Sequence, residues 1–492
     1  MVDKITVNQT FLAFLLILLL SLILFSQLGD FGLPSFDDAY YAQKAKELVR
    51  TGDLFTLYYN DTPRFDNTPF YIWLVALMFK LFGVNEYNAR FFSCLSGIGS
   101  LAVIYLIAKI IYNDKWSKFF SVLVLATTFY YTKYAMHAMF DVTLSFLYTL
   151  IMLFFILGIL KNERYFLLSG VFVGFSILTK SLLGVFPIII MGVFLLLYDR
   201  KKILSRHFIL SILISLFIAL PWYLVEYIKF GGKFLGEHFG WLFLERGFGK
   251  SLPKQNLFSY FYYLKFLLIS YLPWIPLAIT SIFVELKKKK REKEEMFSLL
   301  PIIWILTVLI LMSVPGTRKS WYIMPVFPAL ALITGDYFNR YVLRNEKVRM
   351  LSARVIISVF FIIMIIVVST PISLKSRKSM GIKKMATVIK NAIPENKRVN
   401  CFNMEFWSTN NSFLFYTDRM LKQPFFELDS LISIMKEEDE FCYIQTRDYE
   451  YFFKDKREEF PIIVGTKDYI LFTNRKTYDK LQSYNFLDLL SP

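Results

Sequence analysis

Charge is scarce in this chain of 492 residues: Asp, Glu, Lys and Arg together make up 19%. A soluble protein of this length needs a larger charged surface, roughly a quarter of its residues, which excludes a water-soluble globular chain. Cysteine is scarcer still. Cys94, Cys401 and Cys442 form no CxxC pattern, which excludes a cysteine metal centre. Acids are fewer than bases, giving a formal charge of +17. The basic residues cluster in short segments between apolar runs, the pattern that encodes topology in a membrane, and this argues against nucleic acid as a partner. No small-residue cleavage site follows the first apolar run, Phe11–Phe25, so it reads as a retained span and not a signal peptide. Two marks of a transporter, ionisable groups at mid-membrane and repeated halves, are also missing, because Lys133, Glu226 and Lys265 all stand close to span ends.

What is present is apolar length. The chain is 55% hydrophobic and 18% aromatic. Apolar stretches fall near residues 10–29, 90–112, 117–135, 141–160, 165–180, 182–198, 208–228, 258–285, 297–314, 322–338 and 353–372. These predict a polytopic α-helical membrane protein with about 11–13 transmembrane helices plus interfacial helices. Alternate connections are short and basic: Lys115 and Lys118; Lys161 and Arg164; Arg200, Lys201, Lys202 and Arg206; Lys287–Lys290 with Arg291; Arg340, Arg344, Lys347 and Arg349. Short basic loops stay on the cytoplasmic side, and the opposite connections are longer and of mixed charge. Parity then places the tail outside the cytoplasm.

Two domains are expected: a transmembrane domain over 1–372, with a first outer loop over 30–87, and a small extracytoplasmic α/β domain over 373–492. The tail reads as a helix near Lys384–Ala392, a strand near Arg398–Asn403, a helix near Asp429–Lys436, and strands near Glu440–Thr446 and Ile462–Thr473. Cys401 and Cys442 sit on candidate strands, and both a disulfide and two free thiols are open. In the outer loop, Pro69–Gly83 reads as a helix lying in the interface or a re-entrant packing helix.

The residues with chemistry gather at the outer corners. Asp37 and Asp38 follow the first span directly, where two adjacent carboxylates repel each other and are costly to desolvate, although loops also carry acids simply to stay soluble. Asp141 stands where one span hands over to the next, a place that a helix N-cap would also occupy. Thr179-Lys180, Glu237-His238, Glu245-Arg246 and Arg318-Lys319 with Tyr322 stand at other outer corners, where each taken singly suits an interfacial anchor. Together they supply cations to hold an anionic phosphate and a carboxylate to take a proton from an acceptor.

The ordered set resembles the membrane GT-C glycosyltransferases, in the ArnT-like and protein O-mannosyltransferase-like group. It runs from Asp37, Asp38, Tyr41 and Ala42 through Gly52-Asp53, Phe65-Asp66-Asn67-Thr68-Pro69 with Tyr71 and Trp73, Arg90 and Asp141. It continues through Leu178-Thr179-Lys180 with Gly184 and Pro187, Pro221-Trp222, Glu237-His238 with Arg246, Pro273-Trp274, and Arg318-Lys319 with Tyr322. The resemblance covers residues 1 to about 340 and implies an inverting transfer from a polyprenyl-phosphate-linked sugar to a lipid, glycan or protein acceptor on the extracytoplasmic face of the cell membrane. Asp37 matches the catalytic base and Asp141 a second acid that orients substrates. Lys180, Arg246 and Tyr322 match contacts to the donor phosphate, to which the loop cations Arg318 and Lys319 add. Asp38, Tyr41, Asp66 and Asn67 fall in the substrate-binding motifs, and Asp66 with His238 matches a pair that shares a divalent ion in some members. The chain departs from the family at Asn67, where Lys is common, and at Tyr40, where lipid A-modifying members carry Arg. Two cations are thus missing near the donor, which argues against aminoarabinose transfer to lipid A. A lipid-linked oligosaccharide polymerase or ligase is the alternative enzyme, and a non-catalytic transporter or scaffold the alternative from another class.

Overall fold

The computed structural model describes residues 8–34, 36–112, 114–245, 257–288, 292, 295–343, 345–369, 377–404 and 410–483. In chain order the first helices are α1 (Gln9–Ser26), α2 (Asp37–Thr51), α3 (Phe70–Phe82), α4 (Glu86–Ile111), α5 (Lys115–Ala126), α6 (Phe129–Ala135), α7 (Phe140–Leu160), α8 (Tyr165–Tyr198) and α9 (Arg206–Phe230). The chain divides into two compact units, one of Met1–Leu28, Arg64–Leu74 and Arg90–Thr370, the other of Gly29–Pro63, Val75–Ala89 and Pro371–Pro492. The sequence assigns the whole first loop, 30–87, to the membrane part. In the structure most of that loop instead clusters with the tail.

The first unit is a helical membrane body. Among the described residues six helices are long and apolar enough to cross a bilayer, or seven if the pair Tyr262–Ser270 and Ile275–Leu286, bent by 119°, is one broken span. Fewer elements pass this test than the expected stretches because several stretches are interrupted. The 117–135 stretch divides into α5 and α6 at Thr127 and Thr128, whose hydroxyls bond back to Leu123 and Val124 carbonyls at 2.7 Å. The 322–338 stretch gives a helix of 12 residues, Val326–Tyr337. Helix α3 has 13 residues, about 20 Å of helix, too short to cross.

Helix α8 decides the geometry of the site. Its 34 residues are interrupted at Lys180 (φ −154°, ψ 54°) and Ser181 (φ 30°, ψ −108°). A Cβ added at Gly184 would stand 2.3 Å from the backbone nitrogen of Ile177, seven residues earlier. In a straight helix those residues lie about 10 Å apart, so α8 is a hairpin of two antiparallel halves. Phe155 confirms it by meeting both halves, with Phe166 and Phe194 each 5.8 Å from its ring. The first half also lies close to α9. A Cβ at Gly170 would reach the Ser211 carbonyl oxygen at 2.2 Å, and one at Gly174 the Ile218 Cβ at 2.7 Å. The small-xxx-small spacing permits that approach.

The hairpin sorts the loops by side within this unit. At its open end Glu163 pairs with Lys202 at 2.7 Å and His207 at 3.6 Å, joining two connections of the basic set. Two further basic connections meet through Asp114 with Arg349 at 3.9 Å and through Ser117 with Asp336 at 2.7 Å. At the closed end stands Lys180, bonded to Asp141 in the first turn of α7. The 21 residues of α7 put about 30 Å between that turn and Lys161.

The second unit carries a four-stranded mixed sheet ordered β3-β4-β6-β5, where β3 is Asn400–Cys401, β4 Phe441–Gln445, β5 Ile462–Gly465 and β6 Tyr469–Thr473. A two-stranded hairpin, β1 (Tyr58–Tyr59) and β2 (Thr62–Pro63), precedes it in the chain. Its turn residues Asn60 and Asp61 have φ of 55° and 61°, the positive pair that a tight two-residue turn needs. Helices Leu428–Met435 and Thr446–Phe452 cover one face of the sheet around Leu431, Met435, Tyr449 and Phe472. Strands β3 and β4 are parallel neighbours with Cys401 opposite Tyr443 and Asn400 opposite Cys442. That register is one residue out for a disulfide: the two thiols point to opposite faces, and both are free. Helix α2 is buried over almost its whole length from Asp38 to Leu48. It is therefore a core helix.

Candidate active site at the closed end of the helix hairpin

The break in α8 lies inside a polar cluster. Asp141 is 1% exposed, one carboxylate oxygen bonds the Lys180 ammonium, and the other is buried with no hydrogen-bond partner among the described residues. Met139 occupies the N-cap of α7, so Asp141 sits one place inside the helix, where the dipole favours a carboxylate. The Lys180 ammonium stands 4.0 Å from the Tyr322 ring centroid and 4.9 Å from that of Phe140. A cation held over ring faces and beside one acid keeps its charge in an apolar setting.

Ser181 adopts a left-handed φ that a β-substituted residue takes at a cost of about 1–3 kcal/mol. A second network holds it there. Tyr223 donates to the Ser181 hydroxyl at 3.3 Å, and that hydroxyl meets His238 Nε2 at 3.1 Å. His238 Nδ1 meets the Phe65 carbonyl oxygen at 2.5 Å. A carbonyl only accepts, so the network assigns the proton to Nδ1 and makes Nε2 the acceptor from Ser181. Burial pushes the His238 pKa below its usual range, opposed by the Phe65 carbonyl and the charge of Asp66, which suits this neutral tautomer. The neighbouring Glu237 accepts the Phe65 N–H at 3.2 Å. Two consecutive side chains thus grip both sides of one residue and fix where Asp66 and Asn67 begin.

That arrangement does not fit a metal ion. Both nitrogens of His238 are engaged, and the described residues contain no group of three or more His, Cys, Asp or Glu able to hold one. The divalent ion expected between Asp66 and His238 therefore gives way to a hydrogen-bonded anchor.

Comparison with known proteins places the chain. Residues 66–224 match the family model described as dolichyl-phosphate-mannose-protein mannosyltransferase. An uncharacterized protein of Aquifex aeolicus is 30% identical over 68% of this chain and 65% of its own length. The undecaprenyl phosphate-alpha-4-amino-4-deoxy-L-arabinose arabinosyl transferase of Shewanella sediminis is 26% identical over 67% of this chain and 60% of its own length. The crystal structure of ArnT from Cupriavidus metallidurans bound to undecaprenyl phosphate superposes with a TM-score of 0.77 at 17% identity, covering 94% of this chain and 97% of that one. The chain has the GT-C fold of ArnT, and over residues 66–224 it is similar to the protein mannosyltransferases. It spans less than two thirds of the length of the Aquifex and Shewanella relatives.

Within this GT-C chain, the first unit brings together Asp141, Lys180 and Tyr322 directly, and Asp66 and Asn67 follow the Phe65 that His238 holds. Arg318 and Lys319 lead into the turn that presents Tyr322. Arg318 donates to the Ser313 carbonyl at 2.8 Å and lies 5.4 Å from the Tyr260 ring, and Lys319 stands 5.8 Å from the Trp321 ring. Asp37, Asp38 and Tyr41 open α2 in the second unit, with Asp37 half-buried and Asp38 and Tyr41 buried. Arg246 lies outside the described residues. Reading the sequence missed Ser181 and Tyr223, whose hydroxyls sit inside apolar runs. The one available signal was the polar Thr179-Lys180-Ser181 triplet in the middle of 165–198.

Proposed function

We propose that this chain is an integral membrane glycosyltransferase that moves a sugar from a polyprenyl-phosphate carrier to a lipid, glycan or protein acceptor on the extracytoplasmic face of the cell membrane. One observation carries the reading: a lysine paired with a buried acid at the break of a helical hairpin, in a GT-C fold, at the opposite end of α7 from the basic loops. The acceptor oxygen attacks the anomeric carbon from the face opposite the phosphate. A new C–O bond forms, the old C–O bond to phosphate breaks, and the electron pair leaves with polyprenyl phosphate. Lys180 stabilises the charge growing on that phosphate, with Arg246, Arg318 and Lys319 as further cations and Tyr322 as the platform under Lys180. Asp37 takes the proton from an acceptor hydroxyl. Asp141 holds Lys180 with one oxygen and offers the other to a sugar hydroxyl, which gives its buried lone pairs a partner.

Asp37→Asn keeps the shape of the side chain and removes the base. The expected result is loss of transfer with normal membrane insertion, read by mass spectrometry of envelope glycans in a deletion strain complemented with each version. Near-normal glycans from the variant overturn the assignment of Asp37.

A further inference from the structure

In the second compact unit, the backbone entering Asp37 is gripped by one short, fully buried helix of the C-terminal region, Asn411–Thr417. Asn411 Nδ2 donates to the carbonyl of Phe36, the N-cap residue of α2, at 3.1 Å. Ser412 Oγ donates to the Leu33 carbonyl at 2.9 Å, and the Leu33 N–H donates to the Tyr416 hydroxyl at 2.7 Å. The Tyr416 hydroxyl in turn donates a hydrogen bond to Glu86 Oε1 at 3.0 Å, an oxygen that Lys383 also holds at 2.6 Å. The other end of the same helix is tied to α2: Lys46 donates to the Phe415 carbonyl at 2.6 Å and pairs with Asp418. Asn411 is fixed in turn by accepting from the Tyr59 hydroxyl.

These bonds are selective. Three side chains spaced along one helix (residues i, i+1 and i+5) hold both polar groups of Leu33 and the carbonyl immediately before Asp37, while Asp37 itself stays half-exposed. A general base needs that combination: a carboxylate open to substrate on a backbone that cannot drift.

We infer that Asn411, Ser412 and Tyr416 are positioning residues, and that the C-terminal region completes the catalytic apparatus by setting the Asp37 carboxylate. The inference rests on the proposed role of Asp37. A shift of about 1 Å in a reacting group costs about 100-fold in rate, so loosening this grip should lower kcat and spare donor binding.

The test uses the full-length protein in nanodiscs containing envelope lipid extract. Undecaprenyl-phosphate mannose and undecaprenyl-phosphate 4-amino-4-deoxy-arabinose serve as probe donors, and release of undecaprenyl phosphate is the readout. Wild type and Asp37→Asn calibrate the role of Asp37. Tyr416→Phe and Ser412→Ala are expected to reduce kcat about tenfold or more with donor KM unchanged, and Ser412→Thr to restore it. Hydrogen exchange of the Leu33 amide should quicken in Tyr416→Phe, in a protein whose melting temperature and elution volume match wild type. Full kcat in a variant whose Leu33 amide exchanges faster overturns the positioning role, and unchanged exchange overturns the grip itself. If wild type releases no carrier from either donor, or Asp37→Asn is as active as wild type, the reading of donor or base falls instead.

Discussion

Replacing Lys180 with methionine removes an ammonium whose charged partner, Asp141, is 1% exposed. The methionine fills similar volume between Tyr322 and Phe140, so the main physical change is a carboxylate left buried without its counter-ion. Removing one partner of such a pair costs about 3–5 kcal/mol. Lys180 keeps 13% of its side chain exposed, so the lower end, about 3 kcal/mol, is expected. Replacing both partners, Asp141→Leu with Lys180→Met, should recover all but about 1 kcal/mol, because an apolar pair of similar volume is often as stable as an ion pair. Activity should not recover with it. A preorganised charge facing the leaving group contributes about 3 kcal/mol to the barrier, about 10²-fold in rate, and the double variant lacks it. Unfolding in mixed micelles gives the stability series, and carrier release in nanodiscs gives the rates. A Lys180→Met protein as stable as wild type, or a double variant that regains transfer, refutes the reasoning.

Three other outcomes are expected. Gly184→Ala forces a methyl group to within 2.3 Å of the Ile177 nitrogen, so it should destabilise the hairpin by about 1–3 kcal/mol or more and cut transfer, whereas Gly192→Ala, which meets nothing within 4 Å, should leave both unchanged in the same assays. Cys401 and Cys442 should show no mobility difference between reducing and non-reducing gels, and both should react with a maleimide once the protein is unfolded. Asp418 is pushed upward by burial but held below its usual 3.8 by Lys46 and Lys390. A depressed carboxylate stabilises the fold above its unfolded pKa and stops doing so as pH falls through the folded value. Hydrogen-exchange protection of residues 377–392 and 411–417 should therefore weaken below about pH 4, and unchanged protection there would show that the lysine pair contributes nothing.

Local pattern and long-range contact were not equally legible in the sequence. The apolar runs marked the membrane helices because each needs about 20 apolar residues whatever its neighbours do. Lys180 was visible as a polar interruption of 165–198, a region too short for two full spans, and the hairpin is how the chain resolves that conflict. The strand at Ile462–Thr473 was read as one piece but divides into β5 and β6 around Thr466–Asp468, where the Thr466 N–H bonds the Tyr469 carbonyl at 2.7 Å. The partners of the outer loop could not be read in this way. Asn60 exchanges bonds with the backbone of Leu421, 361 residues away, at 2.9 Å in each direction, and nothing near Asn60 announces that. Glu47 looks like a surface acid at helical spacing, yet it is buried and accepts the N–H groups of Asn60 and Asp61 at 2.7 and 3.0 Å. His238 suggested a metal ligand because its residue type suits one. Only the geometry shows its two nitrogens occupied by Phe65 and Ser181.

The most direct test of a single donor site is a cryo-electron microscopy structure of the full-length protein with polyprenyl phosphate bound. The phosphate should lie about 3 Å from the Lys180 ammonium, beside the Tyr322 ring. A phosphate seated away from Lys180 and Tyr322 contradicts the account.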